Sequence, residues 1–387
     1  MNRIYLDYAA TTPVRAEVLE AMLPCFREGF GNPGSQHAAG QAARSAVERA
    51  RQQVADALGA LPQEIVFTSG GTESNNWVLR SVAREAPAGK KRFAVSALEH
   101  HAVLNVCEAL EKEGIQTALL SPDGDGILRT ETLSSAMNGQ ESLVSVMTAN
   151  NEIGTLQPIP ELAAIAHEHG ALFHTDAVQA VGHCPMDVHG WQVDFLSLSG
   201  HKLGAPKGIG ALYIRKGTRL PGLMLGGSQE QNRRAGTENV PGIVGLGAAI
   251  ALATREMARE SARLTALRDE LIRGVLATIP ASRLNGHPTR RLPGNAHFSF
   301  QGIRSDALVT RLDLCGIEAS AGAACTAGVL TPSHVLRAIH PEEKEPWANL
   351  RLTLGPDTTG EEIQRVLRVL PGVVEDLRRL SGWEVEK

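Results

Sequence analysis

The chain has 387 residues, 43% hydrophobic and 21% charged, with a net charge of −4. That length exceeds what one core usually serves, so two or three packed domains are expected, and the ordinary balance of apolar and charged residues excludes a disordered chain. A mildly acidic protein offers no broad basic face, so a small substrate and no direct nucleic-acid contact are expected.

The opening residues, MNRIYLDYAATTP, include Asp7 and no long apolar run. Neither a signal peptide nor a membrane-spanning helix is placed there, and a cytoplasmic protein without membrane attachment is expected. Next, EIVFTS leads into TESNNWVLRSVAREA and RFAVSAL into HAVLNVCEALEKEG, followed by LVSVMTA, LAAIAHEHG, ALFHTDA and DFLSLS. Short β-rich runs alternating with helical ones predict an α/β fold with a largely parallel sheet. Leu143 to Met147 is apolar on both faces, as a strand covered by helices on both sides would be. Functional groups are then expected on the loops beyond the strand ends. From Val240 to Ile279 the pattern is mostly helical, and its charge-rich middle around Arg255 to Arg263 places a domain boundary near Glu256. Beyond it, NAHFSF and RLTL predict strands of a smaller α+β domain.

Lys202 follows the strand-like DFLSLS, and small Ser199 and Gly200 allow a ligand to approach it. A lone lysine is ordinarily a hydrated surface amine; with suitable partners it is a Schiff-base candidate. Asp176, at another strand end, is such a partner, since a carboxylate there keeps a pyridinium nitrogen protonated. In EIVFTSGGTES, Gly70, Gly71 and Thr72 form a strand-turn-helix junction that reads either as a phosphate seat or as an ordinary helix cap. GIGALY and GLGAAI lack the strand-turn-helix order of a dinucleotide fingerprint.

The five cysteines are odd in number, widely spaced and without a C-x-x-C pair, so neither a disulfide framework nor a zinc site is suggested. Cys25, Cys107, Cys184 and Cys315 read as structural thiols. Cys325, among the small residues of ASAGAACTAG, is either part of a simple turn or a nucleophile free to move. His100 begins a helix and reads as a cap or a functional group. His167 and His169, two apart on a helix, point to different faces, so they are expected at the surface and no metal is expected.

Taken in order, SGGTES, EHHAVL, NNEIG, HTDAVQ, SLSGHK, PKGIGALY, RAGTEN and SAGAACT resemble the motifs of NifS/IscS-type cysteine desulfurases, from LDYAATTP through RLTLG. The resemblance implies the pyridoxal-phosphate-dependent aspartate-aminotransferase-type fold. It implies a large cofactor-binding domain at 16–256, a small domain at 257–387 carrying the Cys325 loop, and residues 1–15 packed with the small domain. A homodimer with pyridoxal 5'-phosphate at its interface is also implied.

By the same resemblance, Lys202 holds the cofactor, Asp176 faces the pyridinium nitrogen and Gln179 donates to the ring hydroxyl. Gly71, Thr72, Ser199 and His201 hold the phosphate, and Thr237 reaches the neighbouring subunit's cofactor. His100 stacks on the ring and moves substrate protons. Asn151 contacts the cofactor and joins Arg351 in gripping the carboxylate of L-cysteine, where guanidinium geometry suits a bidentate pair. Cys325 takes the sulfur as a persulfide and L-alanine leaves. The sulfur goes to iron–sulfur cluster assembly, other sulfur-containing cofactors or tRNA thiolation, through acceptor proteins such as an iron–sulfur scaffold.

The chain departs from the common SSGSAC in reading SAGAAC, with two hydroxyls lost. The long form preceding PSHVLRAI resembles NifS and IscS rather than SufS, and the end at GWEVEK is expected to lack the longer scaffold-binding tail of IscS-type members. Another class V enzyme, such as an aminotransferase or selenocysteine lyase, would share Lys202 and Asp176 without needing Cys325. A binding protein would keep the fold without the cofactor.

Overall fold

The computed structural model describes residues 3–322, 333–343 and 347–383, so Cys325 lies outside the described residues. Seven strands form one sheet in the order Ile65–Thr68, Gly210–Ile214, Phe195–Ser199, Leu172–Asp176, Glu141–Ser145, Arg92–Ser96, Gln116–Leu120. Gly210–Ile214 runs antiparallel to both of its neighbours and the other strands run parallel to one another. Phe195–Ser199 and Gly210–Ile214 are buried at every position, as strands covered on both faces must be. The α/β reading with a largely parallel sheet holds.

On one face, helices Ala38–Leu58, Ile159–Glu168 and the start of Val240–Thr278 pack through Val47, Val54, Leu162 and Leu246. On the other, Gly71–Glu85 and His101–Glu111 pack through Trp77, Val78, Val103 and Leu110. Each such side chain contributes about 1.5–3 kcal/mol on full burial. The glycines of GLGAAI serve this packing: a Cβ at Gly247 would lie 2.8 Å from the Ala50 Cα, so the two helices meet backbone to backbone.

A second sheet pairs Asn295–Phe300 antiparallel with Ala348–Thr353 and Ser282–Leu284. Its core gathers Phe298, Phe300, Leu350 and Leu352 with Leu271 and Val366. The 39-residue helix Val240–Thr278 is long and apolar enough to cross a membrane by composition. Its apolar residues are divided between the two cores instead, Val240 to Leu252 in the first and Leu264 to Val275 in the second, with the charged stretch 255–263 between. The N-terminal residues return to the second core. Ile4–Tyr5 pairs in parallel with Ile317–Glu318, Asp7 bridges Thr353, and Ile4 and Leu6 are buried there.

Three features differ from the sequence expectations. The strand expected at Leu143 to Met147 is Glu141–Ser145, because Glu141 is buried against Arg92; the extended chain continues as Val146 N and Thr148 N donate to His174 O and Asp176 O at 3.1 and 2.9 Å. Gln116–Leu120 adds an edge strand whose half-exposed sequence carries little strand signal. His167 is not a free surface residue: it is half-buried, and its Nε2 lies 2.8 Å from Asp194 Oδ2, while His169 is half-buried beside it.

The strand Ile65–Thr68, which delivers the Gly70–Thr72 turn, is locked by a buried ion pair. Arg51 donates to both carboxylate oxygens of Glu230 at 2.8 Å and to Ile65 O, and Phe67 N donates to Glu230 Oε2 at 2.9 Å. Removing one partner leaves the other charge buried and uncompensated. Glu230→Ala is expected to lower unfolding free energy by about 3–5 kcal/mol in a denaturant titration, whereas Glu48→Ala, a mutation at an exposed partner of Arg51, changes it by less than about 1 kcal/mol.

Candidate active site

A parallel sheet covered on both faces leaves its strand ends as the open edge, and the predicted residues follow those ends. Gly71 and Thr72 come after Thr68, His100 after Ser96, Asn151 after Ser145, Gln179 after Asp176, and His201 and Lys202 after Ser199.

The junction at Gly70 has φ 154° and ψ −178°, a region essentially reserved for glycine. A Cβ at Gly71 would lie 2.5 Å from Val178 Cγ2, so the turn sits directly on the sheet loop. Gly70, Gly71, Thr72, Ser199 and His201 line one open cleft. The first N–H groups of helix Gly71–Glu85 and the hydroxyls of Thr72 and Ser199 form a donor set suited to a phosphate. The His201 Nδ1 lies 3.1 Å from Thr11 Oγ1, and burial, then the charge of Lys202, push its pKa down to about 4. It is therefore a neutral hydrogen-bonding group at neutral pH.

Asp176 is buried, with Oδ2 accepting from Asn75 Nδ2 at 2.7 Å and Oδ1 from Val178 N at 3.0 Å. These bonds fix the carboxylate plane. Glu99, wholly buried nearby, has its carboxyl pushed well above the usual range by burial and then by Asp176, so the two acids do not carry charge together. His100 accepts from Ala102 N at its Nδ1, 3.1 Å away, which places the proton of the neutral ring on Nε2. Though the residue is exposed, partial desolvation lowers its pKa against the pull of Asp176.

The Lys202 amine donates to Ala9 O at 2.5 Å and Ala10 O at 2.7 Å, and Gln179 Nε2 donates to the same Ala9 O at 3.0 Å. Burial, then Arg351, push the lysine pKa down to about 8, against the opposing effect of Asp7 and Asp176. An amine of lowered pKa, a buried carboxylate and a phosphate seat at one sheet edge form a set of groups that fits pyridoxal phosphate.

Arg351 Nη1 donates to Asn151 O at 2.9 Å and Nη2 to Asp7 Oδ1 at 2.9 Å, while its Nε is buried without a hydrogen bond among the described residues. Ser320 Oγ donates to the other Asp7 oxygen at 2.7 Å. The structure thus joins Asn151 to Arg351 through a backbone carbonyl, and Asp7 covers one edge of the guanidinium. Thr237 is elsewhere, exposed on a separate cleft with Phe26, Phe30 and Pro33, and is not brought to the Gly71–Thr72 seat of its own chain.

Sequence reasoning missed Asn75, Glu99 and Asp7. Asn75 and Glu99 stood within quoted motifs, TESNN and EHHAVL, but nothing local showed what they face. Asp7 was read only as an acidic residue at the N-terminus.

The aminotransferase class-V family model matches residues 4–366. The chain belongs to the aminotransferase class-V family. It is 50% identical over 385 residues to the cysteine desulfurase IscS of Dictyoglomus turgidum, covering 100% of this chain and 98% of that one. It is also 50% identical to the cysteine desulfurase IscS of Methanosarcina thermophila, covering 98% and 93%. Among solved structures, a NifS-like protein superposes with a TM-score of 0.91 at 35% identity, covering 97% and 100%. SspA in complex with cysteine superposes at 0.80 with 36% identity, covering 92% and 100%. Within the class-V family the chain stands with the cysteine desulfurases and is a pyridoxal-phosphate enzyme.

Lys202 sets a pH test. In cofactor-free protein, aldehyde modification of Lys202, followed by peptide mass mapping, is expected to rise with a midpoint near pH 8 rather than the ordinary lysine value of 10.5. Asp7 favours the charged amine, so Asp7→Asn is expected to move that midpoint lower; a midpoint left at 10.5 in the unmutated protein refutes the assigned environment.

Proposed function

We propose that this class-V enzyme is a cysteine desulfurase that converts L-cysteine to L-alanine and leaves the sulfur on Cys325 as a persulfide. The observation that carries the reading is the convergence of a low-pKa lysine, a buried aspartate and a phosphate seat with Arg351, in a chain half identical to cysteine desulfurases over its length.

Gly71, Thr72, Ser199 and His201 would hold the cofactor phosphate, Asp176 its ring nitrogen and Gln179 its ring hydroxyl, with Asn151 and His100 bordering the ring. Bound pyridoxal phosphate supplies an electron sink for charge left at the substrate Cα. Arg351 binds the substrate carboxylate, its Nε being unpaired among the described residues and the Asn151 and Asp7 contacts holding the guanidinium in place. Lys202 Nζ, its pKa lowered to about 8 so that a neutral fraction is present near neutral pH, takes the Cα proton in that neutral form. His100, whose Nε2 faces away from its bond to Ala102, manages the proton of the substrate thiol. Cys325 then attacks as a thiolate: its sulfur bonds to the substrate sulfur, the substrate C–S bond breaks, and that electron pair stays with the carbon fragment, which takes one proton at Cβ and recovers the Cα proton from Lys202 to leave as alanine.

Three of the other thiols are poor competitors. Burial pushes Cys107 up to about 12, Cys184 up to about 11 and Cys25 upward as well. Thr237, exposed beside the protruding Phe26 and Phe30, supports a homodimer in which each chain reaches the other's phosphate. We further propose two domains divided near Glu256, with residues 1–15 joined to the second, a cytoplasmic location, and delivery of sulfur to acceptor proteins such as an iron–sulfur scaffold.

The decisive measurement is cysteine turnover by the yellow holoenzyme with mass spectrometry of Cys325. Cys325→Ser is expected to keep the yellow absorbance and lose both persulfide and alanine; retained turnover removes its role and favours a different class-V activity. Arg351→Lys is expected to raise KM for cysteine on the order of tenfold, about 1.4 kcal/mol of binding, because an ammonium cannot replace a bidentate fork.

A further inference from the structure

Glu152 follows Asn151 in the NNEIG turn and has no part in the chemistry above, yet the residue is only 3% exposed. Its Oε2 accepts from Ser333 Oγ at 2.6 Å. Ser333 Oγ in turn accepts from Leu336 N at 3.2 Å, capping helix His334–Ile339, so its one hydroxyl proton is committed to Glu152. A Cβ at Gly322 would lie 2.7 Å from Glu152 Oε2 and 2.7 Å from His297 Nε2. Only a glycine fits between these two side chains.

His297 is wholly buried on the strand Asn295–Phe300, directly opposite Arg351 in register. Its Nδ1 lies 2.8 Å from Asn285 Nδ2, a donor, so the neutral ring carries its proton on Nε2, which has no hydrogen bond among the described residues. Gly322 is fixed from its other side as its N–H donates to Asn349 Oδ1 at 2.8 Å. Glu152 is itself anchored, with its N–H donating to Asn150 Oδ1 at 2.9 Å and its carbonyl accepting from Asn295 Nδ2 at 3.0 Å.

Gly322 and Ser333 are the described residues on either side of 323–332, the segment that contains Cys325. We propose that Glu152 is a positioning residue for sulfur transfer: with His297 it forms a buried polar socket that holds Gly322 and Ser333, the residues flanking the Cys325 segment, against the loop carrying Asn151 and the strand carrying Arg351. The proposal rests on the reading of Cys325 as the sulfur acceptor. Ser333 is bonded to this carboxylate and Gly322 packs against it while bonded to Asn349, so both flanks are fixed in place, and sub-ångström placement of reacting atoms controls rate strongly. The socket thereby couples the residues that hold the substrate to the segment that attacks it.

The test compares Ser333→Ala and Glu152→Ala with the conservative Ser333→Thr and Glu152→Gln, which keep an O–H···O contact. Holoenzymes are scored for yellow absorbance, KM for cysteine and the single-turnover rate of Cys325 persulfide formation, and hydrogen exchange is followed in helix His334–Ile339. The two alanine variants are expected to slow persulfide formation on the order of tenfold with absorbance and KM unchanged and faster exchange in that helix, while the conservative variants stay within about twofold of the unmutated enzyme. If Glu152→Ala does not fold, Ser333→Ala carries the comparison alone. Unchanged persulfide rates with only faster exchange would reduce the socket to a structural contact and overturn the proposal, as would a raised KM at an unchanged transfer rate. Absence of Cys325 persulfide in the unmutated holoenzyme would instead refute the desulfurase reading, an outcome distinct from any difference among the variants.

Discussion

Lys202 can exchange its proton near neutral pH only because its amine is taken out of bulk water while two backbone carbonyls still hold it in place. Those carbonyls belong to Ala9 and Ala10, far from Lys202 in the chain. They reach the lysine because Ile4–Tyr5 pairs with Ile317–Glu318 and Asp7 binds Arg351. The first residues of the chain therefore roof the lysine while anchored to the second core, and both cores must be assembled before the amine has its environment. The same salt bridge orients the guanidinium proposed to bind substrate, so proton affinity at Lys202 and geometry at Arg351 share one support.

Carboxyl groups show how environment separates residues of similar chemistry. Asp176 receives two hydrogen bonds to its oxygens and is suited to face a cation. Glu99, next to it and buried, is pushed toward its neutral form, which avoids a second negative charge beside the ring site. Glu152, equally buried, accepts a hydroxyl and holds backbone rather than charge. The thiols are read in the same manner: burial keeps Cys107 and Cys184 protonated at neutral pH, which makes them poor nucleophiles.

Much of the site was legible in the sequence because strand-end placement follows from local pattern. DFLSLS and ALFHTDA read as strands, and the residues just beyond them, Lys202 with His201 and Asp176 with Gln179, necessarily fall on one edge of a parallel sheet. The turn in SGGTES was readable for the same reason, although whether it caps a helix or seats a phosphate is decided by what else lines the cleft. Gln116–Leu120 was missed because an edge strand needs no continuous apolar run, and His167 was misplaced because its partner Asp194 lies on a different element.

The sequence by itself determined the α/β class, the order of elements and the set of residues at the strand ends, since apolar periodicity and turn chemistry are local properties of a chain. Tertiary structure alone decided that Asp7 grips Arg351, that Asn75 orients Asp176, that Ala9 and Ala10 hold the lysine, and that Glu152 meets both Gly322 and Ser333. Such contacts join groups whose separation in sequence carries no pattern. Their energies come from burial and from hydrogen bonds completed only when distant segments are packed together.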